Sequence, residues 1–271
     1  TVAPSAPTAL ALTPIGGTVV ANTLLASNTN MTATATITAG QATGGTARLY
    51  LGTSIIATDS SIGAGDTSVS FDLGVASAAA LQAAVAAGGS VTVVLLDAVG
   101  NASPASGAVT LNVDYVVPTV TVATDRTSFV AGDTATLTFT VSEPTTNFVS
   151  GDVTVTGGTL SGWTATSSTV YSATFTPNSG DGIAGSVQVG AGNLTDVTGN
   201  PNTASNSLVL TIDTVRPTIT AFTSTSADGA YKQGDSITIT ATTSESVKAG
   251  ASITVTLDTG ATVTLSRATA G

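Results

Sequence analysis

Residues 134–143 read Thr134-Ala135-Thr136-Leu137-Thr138-Phe139-Thr140-Val141-Ser142-Glu143. Ala135, Leu137, Phe139 and Val141 alternate with threonines. Successive side chains of a strand point to opposite faces, so the stretch puts one apolar row inward and one hydroxyl row outward. Gly132-Asp133 precedes it and Ser142-Glu143-Pro144 follows it, as turns bounding a strand. The same period continues outward. Val153 and Val155 alternate with Thr154 and Thr156. Tyr171, Ala173 and Phe175 alternate with Ser172 and Thr174, and Val187 and Val189 follow. Clusters of Gly, Asn, Asp and Pro separate these runs at the spacing of a β-sandwich.

A repeat frames the strands. Leu-Thr-Asp-Val-Thr-Gly-Asn carries Asp196, Gly199 and Asn200, and Leu-Leu-Asp-Ala-Val-Gly-Asn carries Asp97, Gly100 and Asn101, each pair 99 residues apart. Asp114 and Pro118 match Asp213 and Pro217 at the same offset. Between loop and junction one alternating strand is expected in each copy, through Val109, Leu111 and Val113 and through Leu208, Leu210 and Ile212. A third copy opens at Pro217. Its Gly234-Asp235 and Glu245 mirror Gly132-Asp133 and Glu143.

The expected architecture is therefore all-β, with tandem immunoglobulin-like antiparallel β-sandwiches end to end. Module 1 spans residues 1–116, module 2 residues 117–214, and residues 215–271 form a partial module 3. The Ala-rich run from Ser77 to Ala87, with Ser77 as N-cap and Gly88 as stop, predicts one short helix near 77–87. The opening Thr1-Val2-Ala3-Pro4 resembles the tail of a D-T-x-x-P junction, and the third copy stops before a second D-x-x-G-N loop. The expectation is a fragment of a longer repetitive protein, with module 3 supported by something beyond it.

Composition removes whole classes of chemistry. Of 271 residues none is Cys and none is His, so thiolate catalysis, disulfides and the usual zinc ligands are missing. Six Lys and Arg against sixteen Asp and Glu give a net charge of -10 and no basis for nucleic-acid binding. No apolar run approaches the ~20 residues of a membrane helix. A Ser or Thr nucleophile would need a lysine partner, and Lys232 and Lys248 both lie in the partial module. The chain is expected not to be an enzyme.

The D-T-x-x-P junction, the Gly-Asp opening, the Ser-Glu-Pro that follows and the T-D-x-x-G-N loop together resemble bacterial immunoglobulin-like domains. These recur in large surface adhesins, biofilm-associated proteins and surface-layer proteins. The resemblance implies an extracellular location on the bacterial cell surface and Ca²⁺ at module junctions. Module 1 departs from it, since no Ser-Glu-Pro follows its strand over residues 32–39.

Strand order supplies the candidate site. In a seven-stranded sandwich the loop after the second strand and the loop between the last two share one pole. Asp114 arrives there from module 1. Asp114, Glu143, Asp196 and Asn200 should therefore converge at the 1–2 junction, and Asp213 with Glu245 at the 2–3 junction. Carboxylates gathered without a cation repel one another, and a structural Ca²⁺ with its six to eight oxygen ligands relieves that. The bland alternative is a turn that Asp and Asn cap through their own backbone. Trp163 reads as packing over the sandwich edge, with a sugar platform as the alternative. Arg126, beside Asp125, reads as a surface ion pair of little weight.

The function expected is a non-catalytic stalk or spacer in cell adhesion or biofilm. The alternatives are a surface-layer, sheath or filament lattice protein, or a glycan- or protein-binding module. Expected partners are neighbouring modules, other copies in a lattice and an unknown surface ligand, with no nucleic acid and no membrane insertion.

Overall fold

A computed structural model of the chain describes residues 2–74, 85 and 89–267. The helix expected over 77–87 lies outside the described residues apart from Val85, which is helical and packs against the first core.

The first strand group comprises β1 (Thr8–Ile15), β2 (Thr23–Leu25), β3 (Asn30–Thr36), β4 (Thr46–Leu51), β5 (Ser54–Asp59), β6 (Ser68–Asp72), β7 (Ser90–Leu96), β8 (Val109–Thr110) and β9 (Asn112–Asp114). One sheet runs β1-β3-β6 and its partner runs β5-β4-β7-β8. The two inner rows meet in a core that includes Met31, Ala33, Leu49, Val93 and Leu95. The single strand expected through Val109, Leu111 and Val113 is broken after Thr110. Beyond the break, β9 leaves β7 and pairs in parallel with β2. Leu111, at the break, is fully buried.

The second group comprises β10 (Val120–Thr124), β11 (Ser128–Phe129), β12 (Ala135–Val141), β13 (Val153–Thr156), β14 (Gly158–Ala165), β15 (Val170–Pro177), β16 (Ile183–Val189) and β17 (Leu208–Ile212). β12 is the alternating stretch read from sequence, and its burial alternates in step, with all four apolar residues inward. The sheets are β10-β12-β15-β14 and β11-β17-β16-β13. This is the two-sheet strand order of an immunoglobulin sandwich, with four strands facing the last strands and the third. Phe129 on one sheet meets Phe175 on the other at 5.2 Å between ring centroids. The two modules differ in one respect. The fifth strand of module 1 stays on the β4–β7 sheet, whereas β14 of module 2 crosses to pair with β15.

Trp163 packs as expected. It lies 5.3 Å from Phe139, 5.0 Å from Phe148 and 5.8 Å from Tyr171, closing an aromatic cluster over one sheet edge. Arg126 pairs with Asp133 rather than with Asp125, whose carboxylate instead accepts the Thr136 amide. The Asp133 carboxylate already caps the turn at Val130, so the guanidinium finds a fixed partner there.

The third group comprises β18 (Ile219–Ser224), β19 (Ile239–Thr243), β20 (Ser252–Thr256) and β21 (Thr262–Ser266). These form two separate two-stranded sheets, β18-β19 and β20-β21. Ile219, Ile239, Ile253 and Leu265 line an open cleft between them. None of the described residues from 215 to 267 is buried. Among the described residues no sheet joins strands of different groups: β9 ends at Asp114 and β10 starts at Val120, while β17 ends at Ile212 and β18 starts at Ile219.

Candidate metal centre at the module junction

Asp114 is the last residue of β9, Glu143 follows β12, and Asp196 opens the loop that leaves β16 for β17. Carboxylate oxygens of all three lie within 4.8 Å of one another. The loop is built from its own first residue. Asp196 Oδ1 accepts the amides of Thr198, Gly199 and Asn200 at 2.9, 2.6 and 2.9 Å. Gly199 has φ +112°, a conformation that side-chain-bearing residues rarely adopt. Asp97 builds the matching loop of module 1 in the same way, through the Val99 and Asn101 amides and the Asn101 side chain.

The turn and the cluster are therefore not alternatives. Asp196 caps the turn with Oδ1 and accepts the Asn200 side-chain amide with Oδ2, while its carboxylate also lies within 4.8 Å of those of Asp114 and Glu143. Burial pushes its pKa up, but hydrogen bonds from the Thr198 and Asn200 side chains and from backbone amides outweigh this and hold it below the usual value. Glu143 goes the other way. Burial raises its pKa first, and the neighbouring charges of Asp114 and Asp196 raise it further. Its Oε1 is buried and has no hydrogen-bond partner.

Asn200 also reaches the cluster, fully buried, but in a different role from the one expected of it. Its amide nitrogen donates to Asp196 Oδ2 at 3.0 Å and to the Asp114 carbonyl at 3.1 Å. Its carbonyl oxygen accepts the Ala26 amide of module 1 at 2.9 Å. Asn200 thus supplies donors to the acids and a bond across the junction, not a ligand oxygen. The Thr198 hydroxyl lies 2.5 Å from Asp114 Oδ2 and 2.8 Å from Asp196 Oδ1, between the two carboxylates.

At the other pole of module 2, Asp213 and Glu245 come together as expected, and Asp181 joins them. Burial and the charges of Asp213 and Asp181 raise the Glu245 pKa, and its Oε1 is also buried and unpartnered. Sequence reasoning missed Asp181 for a definite cause. It sits between β15 and β16, and the 99-residue offset maps it to Gln82, inside the Ala-rich insertion of module 1. The repeat therefore gives no signal at this position.

The residues fit a hard cation. Two ligands each ~2.3–2.6 Å from Ca²⁺ stand up to about 5 Å apart, which matches this carboxylate spacing. Each site offers an oxygen that has no other partner and a carboxyl group whose charge its neighbours oppose.

Residues 114–212 match the family model of the bacterial Ig-like domain. No curated protein matches the chain. Among solved structures, the fibronectin(III)-like modules of Clostridium thermocellum CbhA are similar at 14% identity and a TM-score of 0.36, over 76% of this chain and 95% of that one. A 1.5-MDa bacterial ice-binding adhesin is similar at 19% identity and a TM-score of 0.38, over 78% of this chain and 66% of that one. The D1–D4 ectodomain fragment of ICAM-5 is similar at 13% identity and a TM-score of 0.35, over 96% and 74%. The matched span begins at the junction residue Asp114 and ends with β17 at Ile212, so the second sandwich is the part of the chain that is similar to the bacterial Ig-like domain, in a tandem array of immunoglobulin-like sandwiches.

Proposed function

We propose that the chain is a non-catalytic spacer of a repetitive bacterial surface protein, extracellular, with module junctions stiffened by Ca²⁺. The observation that carries this reading is the meeting of Asp114 from one module with Glu143 and Asp196 from the next, where Glu143 also holds a buried oxygen with no hydrogen-bond partner. A cation there bridges two sandwiches and removes bending freedom between them. An affinity in the range Kd ~10⁻⁴–10⁻³ M is appropriate to an extracellular module. Such a site fills where calcium is millimolar. No helix among the described residues is long and apolar enough to cross a membrane. Adhesion or biofilm attachment is the role that suits a stiff repeating rod. A lattice role differs from it in needing contacts between the sides of modules rather than their poles.

The test is small-angle scattering and thermal melting across zero to several millimolar Ca²⁺. Chelation is expected to shorten the particle and to lower the melting point of module 2. Glu143→Ala is expected to make both insensitive to calcium while each sandwich stays folded. Unchanged dimensions and melting across the range overturn the cation and leave a self-capped turn.

A further inference from the structure

We propose that the pole of module 2 formed by Val130, Ala131 and Asp213 is a docking cradle for a D-x-x-G-N turn of another immunoglobulin-like sandwich. The argument is a comparison of two equivalent places in one molecule, of which one is filled.

At the 1–2 junction the filled cradle consists of Leu25, the Ala26 amide and the Asp114 carbonyl. The Leu25 amide donates to the Asn28 side chain at 2.7 Å, and the Asn28 amide donates back to the Leu25 carbonyl at 3.1 Å. The Asn112 amide of the last strand donates to the Asn22 carbonyl at 2.8 Å. The turn of module 2 sits on this frame. Asn200 takes the Ala26 amide with its oxygen and gives its nitrogen to the Asp114 carbonyl. Gly199 lies so close that a β-carbon there would be 3.0 Å from Val20 and 3.3 Å from Leu25. Leu25 is completely covered, at 0% exposure.

Module 2 repeats these three bonds, although Asp133 pairs with Arg126 where the Asn28 side-chain nitrogen donates to the Gly16 and Thr18 carbonyls. The Val130 amide donates to the Asp133 carboxylate at 3.0 Å, and the Asp133 amide donates to the Val130 carbonyl at 3.1 Å. The Thr211 amide donates to the Thr127 carbonyl at 2.8 Å. Val130 therefore stands where Leu25 stands, Ala131 where Ala26 stands, and Asp213 where Asp114 stands. Yet Val130 is 62% exposed. A cavity of 280 Å³ opens beside it, lined by Ala131, Gly132, Pro177 and Thr214 among others. Among the described residues nothing covers this cradle. The chemistry that fits it is the chemistry already seated on its twin. A glycine must approach the apolar side chain, and a following asparagine must accept one amide and donate to one carbonyl. Glu245 follows β19 as Glu143 follows β12, so the acidic residue leading such a turn would arrive beside the group that Asp181, Asp213 and Glu245 already form. The docking itself rests on the sandwich frame and not on the cation.

The test is amide hydrogen exchange on the full chain in chelator, read at Ala26 and Ala131. In one arm a second copy of residues 183–214 is appended to the C-terminus. In the other a backbone-cyclised peptide of residues 190–205 is added at millimolar concentration, comparable to the effective concentration of a short linker. The expected result is slow exchange at Ala26 throughout. At Ala131, exchange is expected to be fast in the unmodified chain and slowed by roughly tenfold or more in at least one arm. Replacing the added asparagine by alanine abolishes the slowing. No slowing in either arm, or slowing that survives the asparagine replacement, overturns the proposal. Running in chelator keeps its failure apart from that of the cation reading.

Discussion

The Ala26 amide and the Asn200 side chain, 174 positions apart, meet in a 2.9 Å hydrogen bond that ties module 1 to module 2. Asn200 is wholly buried and uses both ends of its amide, so truncation removes the side-chain partner of the Ala26 amide and of the Asp114 carbonyl, both partly buried. Asn200→Ala is expected to weaken the junction by on the order of 1–3 kcal/mol. The loss should appear as faster hydrogen exchange at Ala26 and a wider spread of dimensions in small-angle scattering. Strand amides within each sandwich should keep their protection. Gly199→Val should do the same by a different route, because φ +112° and contacts of 3.0 and 3.3 Å leave no room for a side chain.

Glu143→Gln separates charge from shape. The carboxylate is opposed by burial and by two neighbouring charges. Neutralising it should raise the melting point in chelator and remove the gain produced by calcium. The pH dependence follows from the same shift. The folded chain holds the Glu143 proton above the ordinary value of 4.5, so folding stability in chelator from this group is highest below that value and is lost as pH rises through the window above it. Calcium competes with that proton. Apparent calcium affinity should therefore rise with pH through the same window and level off beyond it, as titration calorimetry at several pH values will show.

Much of this was legible in the sequence, and the failures have physical causes. The period-2 rows of β12 and β17 placed two central strands because one face of each is buried and the other wet. β14 escaped notice because it is an edge strand interrupted at Gly162-Trp163, where its register against β15 shifts, and its burial barely alternates. The break at Leu111 was also hidden, since a strand that changes partners midway keeps its alternation in sequence. The acids were placed by strand order alone. The role of Asn200 was not, because a side-chain amide offers a donor and an acceptor on one group, and only the position of Ala26 decides which faces the carboxylates.

Two buried serines give a prediction independent of the junction. After the D-x-x-G-N loop the chain runs beside the preceding strand, and its amides donate to it, Ser205 to the Val189 carbonyl and Ser106 to the Val93 carbonyl. Side chains accept the bonds that run the other way. Ser205 Oγ accepts the Val189 amide at 2.9 Å, and Ser106 Oγ accepts the Val93 amide at 2.9 Å, at positions 99 residues apart. Ser205→Ala leaves a buried amide without this acceptor and should cost about 1–3 kcal/mol of module 2 stability. Ser106→Ala should cost module 1 a similar amount. The two effects should add in chemical denaturation, since the sites lie in separate cores.

Trp163 is the sole tryptophan of the chain and belongs to the core of module 2, so its fluorescence reports that module alone. Its ring is only partly buried, and it stands at 5.0 Å, edge to face, from Phe148, which in turn stacks edge to face on Tyr171 at 4.9 Å. The Tyr171 hydroxyl donates to the Thr145 carbonyl in the segment that follows Glu143, so the aromatic cluster braces the loop carrying that carboxylate. Trp163→Phe keeps a ring in place and should leave calcium-dependent scattering unchanged. Trp163→Ala opens a gap and should destabilise module 2 by about 2–4 kcal/mol, toward the lower end of the usual loss because part of the ring already meets water. It should also weaken calcium binding through the loosened loop. A lectin-type role for the ring predicts a different pattern: quenching of its fluorescence by added oligosaccharide and loss of sugar binding in Trp163→Ala, with stability little changed. The packed cluster leads us to expect no quenching and a clear fall in stability, which denaturant titration followed at 222 nm and by intrinsic fluorescence of the wild type measures directly.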